Sequence, residues 1–190
     1  MALMETCTES EASAVEEILH RVASNLSLLM DHDILVESVA AERWEERPAG
    51  AGVVHISYKM VFEQGGEEKH GCLLLPLAES ITLAGYLMMV PDEEVTENRE
   101  LSDIDRGTKD AMLELANFVA SAVESAFEDG GSDGLEVRSI GCQGVRADIR
   151  PALVYSEGEP LVVGRAQARI HEYPEFEALL LVPELMFASA

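Results

Sequence analysis

Residues 110–127, DAMLELANFVASAVESAF, decide how the rest of the chain is read. At 100° per residue Met112, Leu115, Ala116, Val119, Val123 and Ala126 fall on one side of a helix, while Asp110, Glu114, Asn117 and Ser121 stack on the other. A solvated helix face ordinarily carries Glu, Lys and Arg. Here a carboxylate and an amide stand three residues apart, beside the small side chains Ala120 and Ser121, which would let another surface approach the backbone.

Outward from this helix the chain falls into two similar halves. Upstream, Ser102 followed by Asp105 gives a capping-box-like start, with Leu101 and Ile104 on the same stripe as Met112. The charged stretch before it reads as a linker. Downstream, the cluster 128–134 ends the helix, 135–149 reads as a strand kinked at Gly141 and Gly144, and 161–170 with 176–182 form a hairpin across Tyr173-Pro174. In the first half, 11–30 has a helical period through Val15, Ile18, Leu19, Val22, Leu26 and Leu29. A turn at Asp31-His32-Asp33 leads to a strand over 34–44, and 53–62 with 69–77 make a hairpin around Gly65-Gly66. A short apolar helix over 78–90 stops at Pro91, and residues 1–10 form a polar, frayed lead-in.

A constant shift of 97 residues lays the first long helix on the second. Ala14 then meets Ala111, Glu17 meets Glu114, and Val22-Ala23-Ser24 meets Val119-Ala120-Ser121. Each helix is followed by a strand and a hairpin, closing in Leu73-Leu74-Leu75-Pro76 or in Leu179-Leu180-Leu181-Val182-Pro183. Such a unit used twice predicts two three-stranded halves sharing one sheet, with two long helices packed on it.

Composition excludes several function classes. A formal charge of −23 disfavours nucleic acid and anionic membrane, which require clustered Lys and Arg, and favours partners presenting basic groups. The longest nearly uncharged apolar run, 81–90, is too short to span a bilayer, and residues 1–10 lack the pattern of a signal peptide, so the expected location is the cytoplasm. Cys7, Cys72 and Cys142 stand far apart, and the five histidines show no H-E-x-x-H spacing, so no metal site is expected. Neither a phosphate-binding glycine loop nor a G-x-S-x-G elbow is present.

The D-x-x-x-E-x-x-N face, together with the repeat, resembles the chemotaxis phosphatases CheC and CheX, which hydrolyse the aspartyl phosphate of a response regulator. The resemblance implies a single α+β domain over 11–190, with half one at 11–90, a linker at 91–101 and half two at 102–190. It implies two pseudo-symmetric helix–strand–hairpin halves sharing an antiparallel or mixed sheet of about six strands. In the family's terms Asn117 would position the attacking water, Glu114 would dock a lysine of the partner, and Asp110 and Ser121 would extend the docking surface. The first helix offers Glu17 and His20 where the second has Glu114 and Asn117. This makes the chain CheX-like, with one complete site and at most a degenerate second one. The implied partner is a phosphorylated CheY-like response regulator, whose own receiver pocket would hold Mg²⁺; the chain itself needs no cofactor. A homodimer through an exposed strand such as 53–62 is left open. One departure stands out: the family expects a proline about twenty-two residues past the Asn, where this chain has Ser139. Two alternatives remain, a non-catalytic response-regulator or flagellar-switch-type binding module on the same fold, and an unrelated scaffold in which the helix motif is accidental.

Overall fold

The computed structural model describes residues 5–154 and 158–187; the first four residues of the expected lead-in lie outside them. In chain order the elements are β1 (Glu5–Thr6), α1 (Glu9–Met30), β2 (Ile34–Trp44), β3 (His55–Gln64), β4 (Glu67–Pro76), α2 (Leu77–Leu87), α3 (Asp92–Asn98), α4 (Arg106–Asp129), β5 (Leu135–Val145), β6 (Leu161–Ile170) and β7 (Phe176–Pro183). A 3-10 turn at Glu184–Phe187 follows. The α+β expectation holds, and every strand pair in the seven-stranded sheet, ordered β1-β2-β6-β7-β4-β3-β5, is antiparallel.

The pseudo-symmetry is sharper than a pair of three-stranded halves. The strand following α1, β2, pairs with β6 of the second half, and the strand following α4, β5, pairs with β3 of the first. Each half therefore lends its first strand to the other half's hairpin. At the centre Leu73 pairs with Leu180, flanked by Cys72 with Leu181 and Leu74 with Leu179. Leu73 and Leu180, 107 positions apart, are equivalent in the two halves, so the two-fold axis runs through their pairing. The N-cap residues Thr8 and Asp105 are 97 positions apart, the shift that aligns the helices in the sequence.

Several boundaries differ from those the sequence suggests, each for a local reason. α1 begins at Glu9 because Thr8 and Glu11 form a reciprocal capping box, so the last residues of the lead-in already belong to the helix. α4 begins at Arg106, not near Ser102, because the Asp105 carboxylate caps it by accepting the Thr108 N–H at 2.7 Å; Leu101 and Ile104 therefore precede the helix. The segment read as a linker carries α3, held by Val95 packed against Gly85. β5 stops at Val145, and β3 is an interior strand paired on both sides, so 53–62 has no free edge to offer a second copy.

The long helices cover one face of the sheet, where Val15, Ile18, Met112, Leu115, Val119, Tyr58, Phe62 and Leu180 are buried. Burying each large aliphatic or aromatic side chain contributes roughly 1.5–3 kcal/mol. On the opposite face Cys72, Leu74, Val163, Leu179 and Leu181 form a smaller core against Trp44 and Leu153. Close docking of α1 depends on Gly164: a Cβ there would lie 2.4 Å from Val15 Cγ1 and 3.2 Å from Leu19 Cδ1.

Candidate docking and catalytic face on α4

α4 is built to show one face and bury the other. Ala111, Met112, Leu115, Ala116, Val119, Ala120, Val123 and Phe127 are buried, whereas Asp110, Glu114, Asn117 and Ser121 are all exposed along a single stripe. Of the two small residues beside the motif, only Ser121 lies on that surface; Ala120 faces the core. Leu113, 46% exposed, and Phe118, 38% exposed, border the stripe with apolar surface. The polar residues thus stand between two apolar flanks. α3 does not cover Asn117.

Neither Glu114 nor Asn117 has a hydrogen-bond or ion-pair partner among the described residues. Both functional groups are available to a second molecule, and neither is used to hold the fold. Asp110 lies 3.8 Å from Arg106 Nε, one turn earlier. The Asp105 cap fixes the start of the helix, and the Thr108 backbone N–H it accepts holds its carboxyl below the usual carboxylate range. At the far end Glu124 Oε1 accepts the Val137 N–H at 3.0 Å and ties α4 to β5.

Ser139, where the resemblance expects proline, lies in β5 opposite Met60. The ladder slips between Tyr58 and Met60, a bulge that places Gly141 at φ 97°, and the Gly141 N–H donates to Ser139 Oγ at 3.1 Å. Leu113 Cδ2 lies 3.6 Å from where a Cβ on Gly141 would be, so the bulge abuts the flank of the α4 stripe. A Ser–Gly bulge thus occupies the place of the proline wall.

The first-half counterpart is differently occupied. Glu17 and His20 are exposed on α1, but Glu17 Oε1 accepts from Arg21 at 2.9 Å, and Arg21 also bridges to Asp129 at 2.7 Å. Glu17 therefore belongs to an ion pair joining α1 to the end of α4. His20 Nε2 is 3.9 Å from Glu16. The cysteines are free; burial pushes the Cys7 thiol up to about 11, aided by Glu11, and the Cys72 thiol up to about 12, so both are protonated near neutrality. Among the described residues no group of three or more His, Cys, Asp or Glu is placed to hold a metal ion, and no helix is long and apolar enough to cross a membrane.

Sequence reasoning missed a cluster outside α4. His32 stacks on Tyr86 with ring centroids 3.6 Å apart, and Arg99 lies 4.1 Å over the Tyr173 ring while pairing with the buried Glu79. These residues come from four separate segments, and no periodicity links them.

The fold is shared with FliY, FliM and chemotaxis proteins. FliY from Thermotoga maritima superposes with a TM-score of 0.68 at 14% identity, covering 97% of this chain and 95% of that one. FliM in the FliG–FliM complex from H. pylori gives 0.63 at 10% identity, covering 96% and 100%. The chemotaxis protein CheX from Desulfovibrio desulfuricans gives 0.56 at 13% identity, covering 89% and 99%. No protein-family model matches the sequence, and no curated protein matches it. The chain therefore has the architecture shared by FliY, FliM and CheX.

Proposed function

We propose that the chain dephosphorylates the aspartyl phosphate of a CheY-like response regulator, using the exposed face of α4. The observation that carries this reading is that Glu114 and Asn117 stand one turn apart on that face, solvent-exposed and without a hydrogen-bond or ion-pair partner among the described residues. Surface side chains that support no fold contact are available for a partner. Glu114 would pair with a lysine beside the partner's phosphorylated aspartate and set the docking register. Leu113 and Phe118 would close around the contact and exclude water from it.

Asn117 would then hold a water in line with the acyl phosphate, its carbonyl oxygen accepting one of the water's protons. An amide is too weak a base to remove that proton, so its role is placement. The water oxygen forms a bond to phosphorus as the bond from phosphorus to the aspartyl oxygen breaks. The partner's aspartate leaves as carboxylate, and both water protons depart on inorganic phosphate. A divalent cation in the partner's receiver pocket would neutralise the phosphoryl oxygens.

The second reading is a recognition module of the flagellar-switch kind, binding a regulator without hydrolysing its phosphate. It is favoured by Ser139 in place of the expected proline. Decay of a phosphorylated receiver, followed with the wild-type chain, Asn117→Ala and Glu114→Lys, separates the two. Hydrolysis predicts faster decay with wild type, none with Asn117→Ala despite retained binding, and neither with Glu114→Lys. Binding without any acceleration by wild type would instead establish the recognition module.

A further inference from the structure

We infer that the cavity at the open end of the β4–β7 seam binds a short extended peptide segment carrying a basic side chain. The ladder between these strands stops at Leu74 with Leu179, although β4 continues to Pro76 and β7 begins at Phe176. On its other side β7 stays paired with β6 as far as Phe176 with Ala168. Phe176, Glu177 and Ala178 therefore have a strand on one side only. A cavity of about 730 Å³ opens there, within the size range of ligand sites.

Two features of the walls define the occupant. Val53, Val54 and Leu101, all exposed, gather around this one opening together with Phe176, whereas exposed apolar side chains scattered singly would need no explanation. Deeper in, Glu79 is buried; one carboxylate oxygen accepts from Arg99 Nη2 at 2.6 Å, and the other has no partner among the described residues. Arg99 is already committed, to Glu79, to Thr82 Oγ1 and to the face of Tyr173. Glu175 adds a further carboxylate at the rim. What remains unfilled is acceptor capacity and negative charge, which selects a cationic donor and repels phosphate or an acidic segment. A peptide backbone can continue the sheet along the free side of β7, placing alternate side chains against the apolar wall and toward Glu79. The cavity shares no lining residue with the α4 stripe, so the site is independent of the proposed phosphatase face.

The test is a titration of the ¹⁵N-labelled full chain with an acetylated Val-Lys-Val-Lys-Val amide and with its counterpart bearing Glu for Lys. The expected result is saturable shifts centred on the amides of Phe176, Glu177, Ala178, Val54 and His55, with binding at least tenfold weaker for the acidic peptide. Leu101→Lys, a substitution at an exposed position, should weaken the basic peptide tenfold or more, and Leu113→Lys on α4 should leave its affinity unchanged. Absent shifts, shifts spread over the acidic α3 surface, or equal affinity in wild type and Leu101→Lys would overturn the proposal.

Discussion

Asn117 has no hydrogen-bond or ion-pair partner among the described residues, so its replacement separates stability from activity cleanly. Asn117→Ala is expected to shift unfolding free energy by no more than about 0.5 kcal/mol, the range of surface substitutions away from caps and cores. The same change should slow receiver dephosphorylation by about a hundredfold, the cost of misplacing a reacting group. Urea denaturation and a phosphate-release assay on one preparation check both; equal loss in the two would mean a structural role. Glu114→Lys reverses the charge that would face the partner's lysine. It is expected to slow association most at low salt and progressively less as the Debye length shortens. A salt-independent defect measured by stopped-flow mixing would argue against charge pairing. The arginine that engages Glu17 in α1 also shows why the motif's first-half counterpart cannot be judged from residue identity alone: the pairing comes from the packing of α1 on α4.

α4 carries both the candidate site and a titratable start. The Asp105 carboxyl is held below its usual range, so the capping interaction is complete above the unfolded aspartate value, about 3.9, and is lost as pH falls through the lower folded value. The Thr108 amide resonance should therefore titrate with a midpoint below about 3.9, and Asp105→Asn should abolish that transition while retaining the cap. A midpoint above the unfolded value would reverse the assignment. α1 is seated through Gly164, where Ala would press on the branched Val15 side chain; Gly164→Ala is expected to cost about 1–3 kcal/mol in urea unfolding. An unchanged midpoint would show that α1 rides higher on the sheet. Most elements were legible because their period was strong: the α1 and α4 stripes, the Gly65-Gly66 hairpin turn with both φ angles positive, and the polar α4 face. The α4 start was misplaced because Ser102 and Asp105 are both acceptable caps by sequence, and only the bond to Thr108 N–H distinguishes them. α3 escaped because its seven residues, four of them acidic, bury only Val95 and so show no amphipathic period.

At the scale of the whole molecule, the exchange of first strands between halves makes the fold indivisible. Apart from the two-residue β1, β2 pairs only with β6 among the described residues, and β5 only with β3, so fragments 1–100 and 101–190 should each lack stable structure alone and recover it when mixed. Dispersed amide spectra from either fragment by itself would contradict the pairing. The repeat was readable from the 97-residue match, but the exchange was not, because sequence similarity between halves is the same whether a strand pairs with its own hairpin or its neighbour's. Symmetry of the frame combined with asymmetry of the helix faces leaves one of the two long helices with a Glu–Asn pair that has no polar partner among the described residues. The most direct test is turnover: loss of acyl phosphate from a CheY-like receiver domain held in tenfold excess over the chain. Wild type is expected to clear the excess through repeated cycles, and Asn117→Ala, bound equally well, to leave the decay at its spontaneous rate. Undiminished turnover by Asn117→Ala, or binding by wild type with no acceleration at all, would contradict the assignment of hydrolysis to this face.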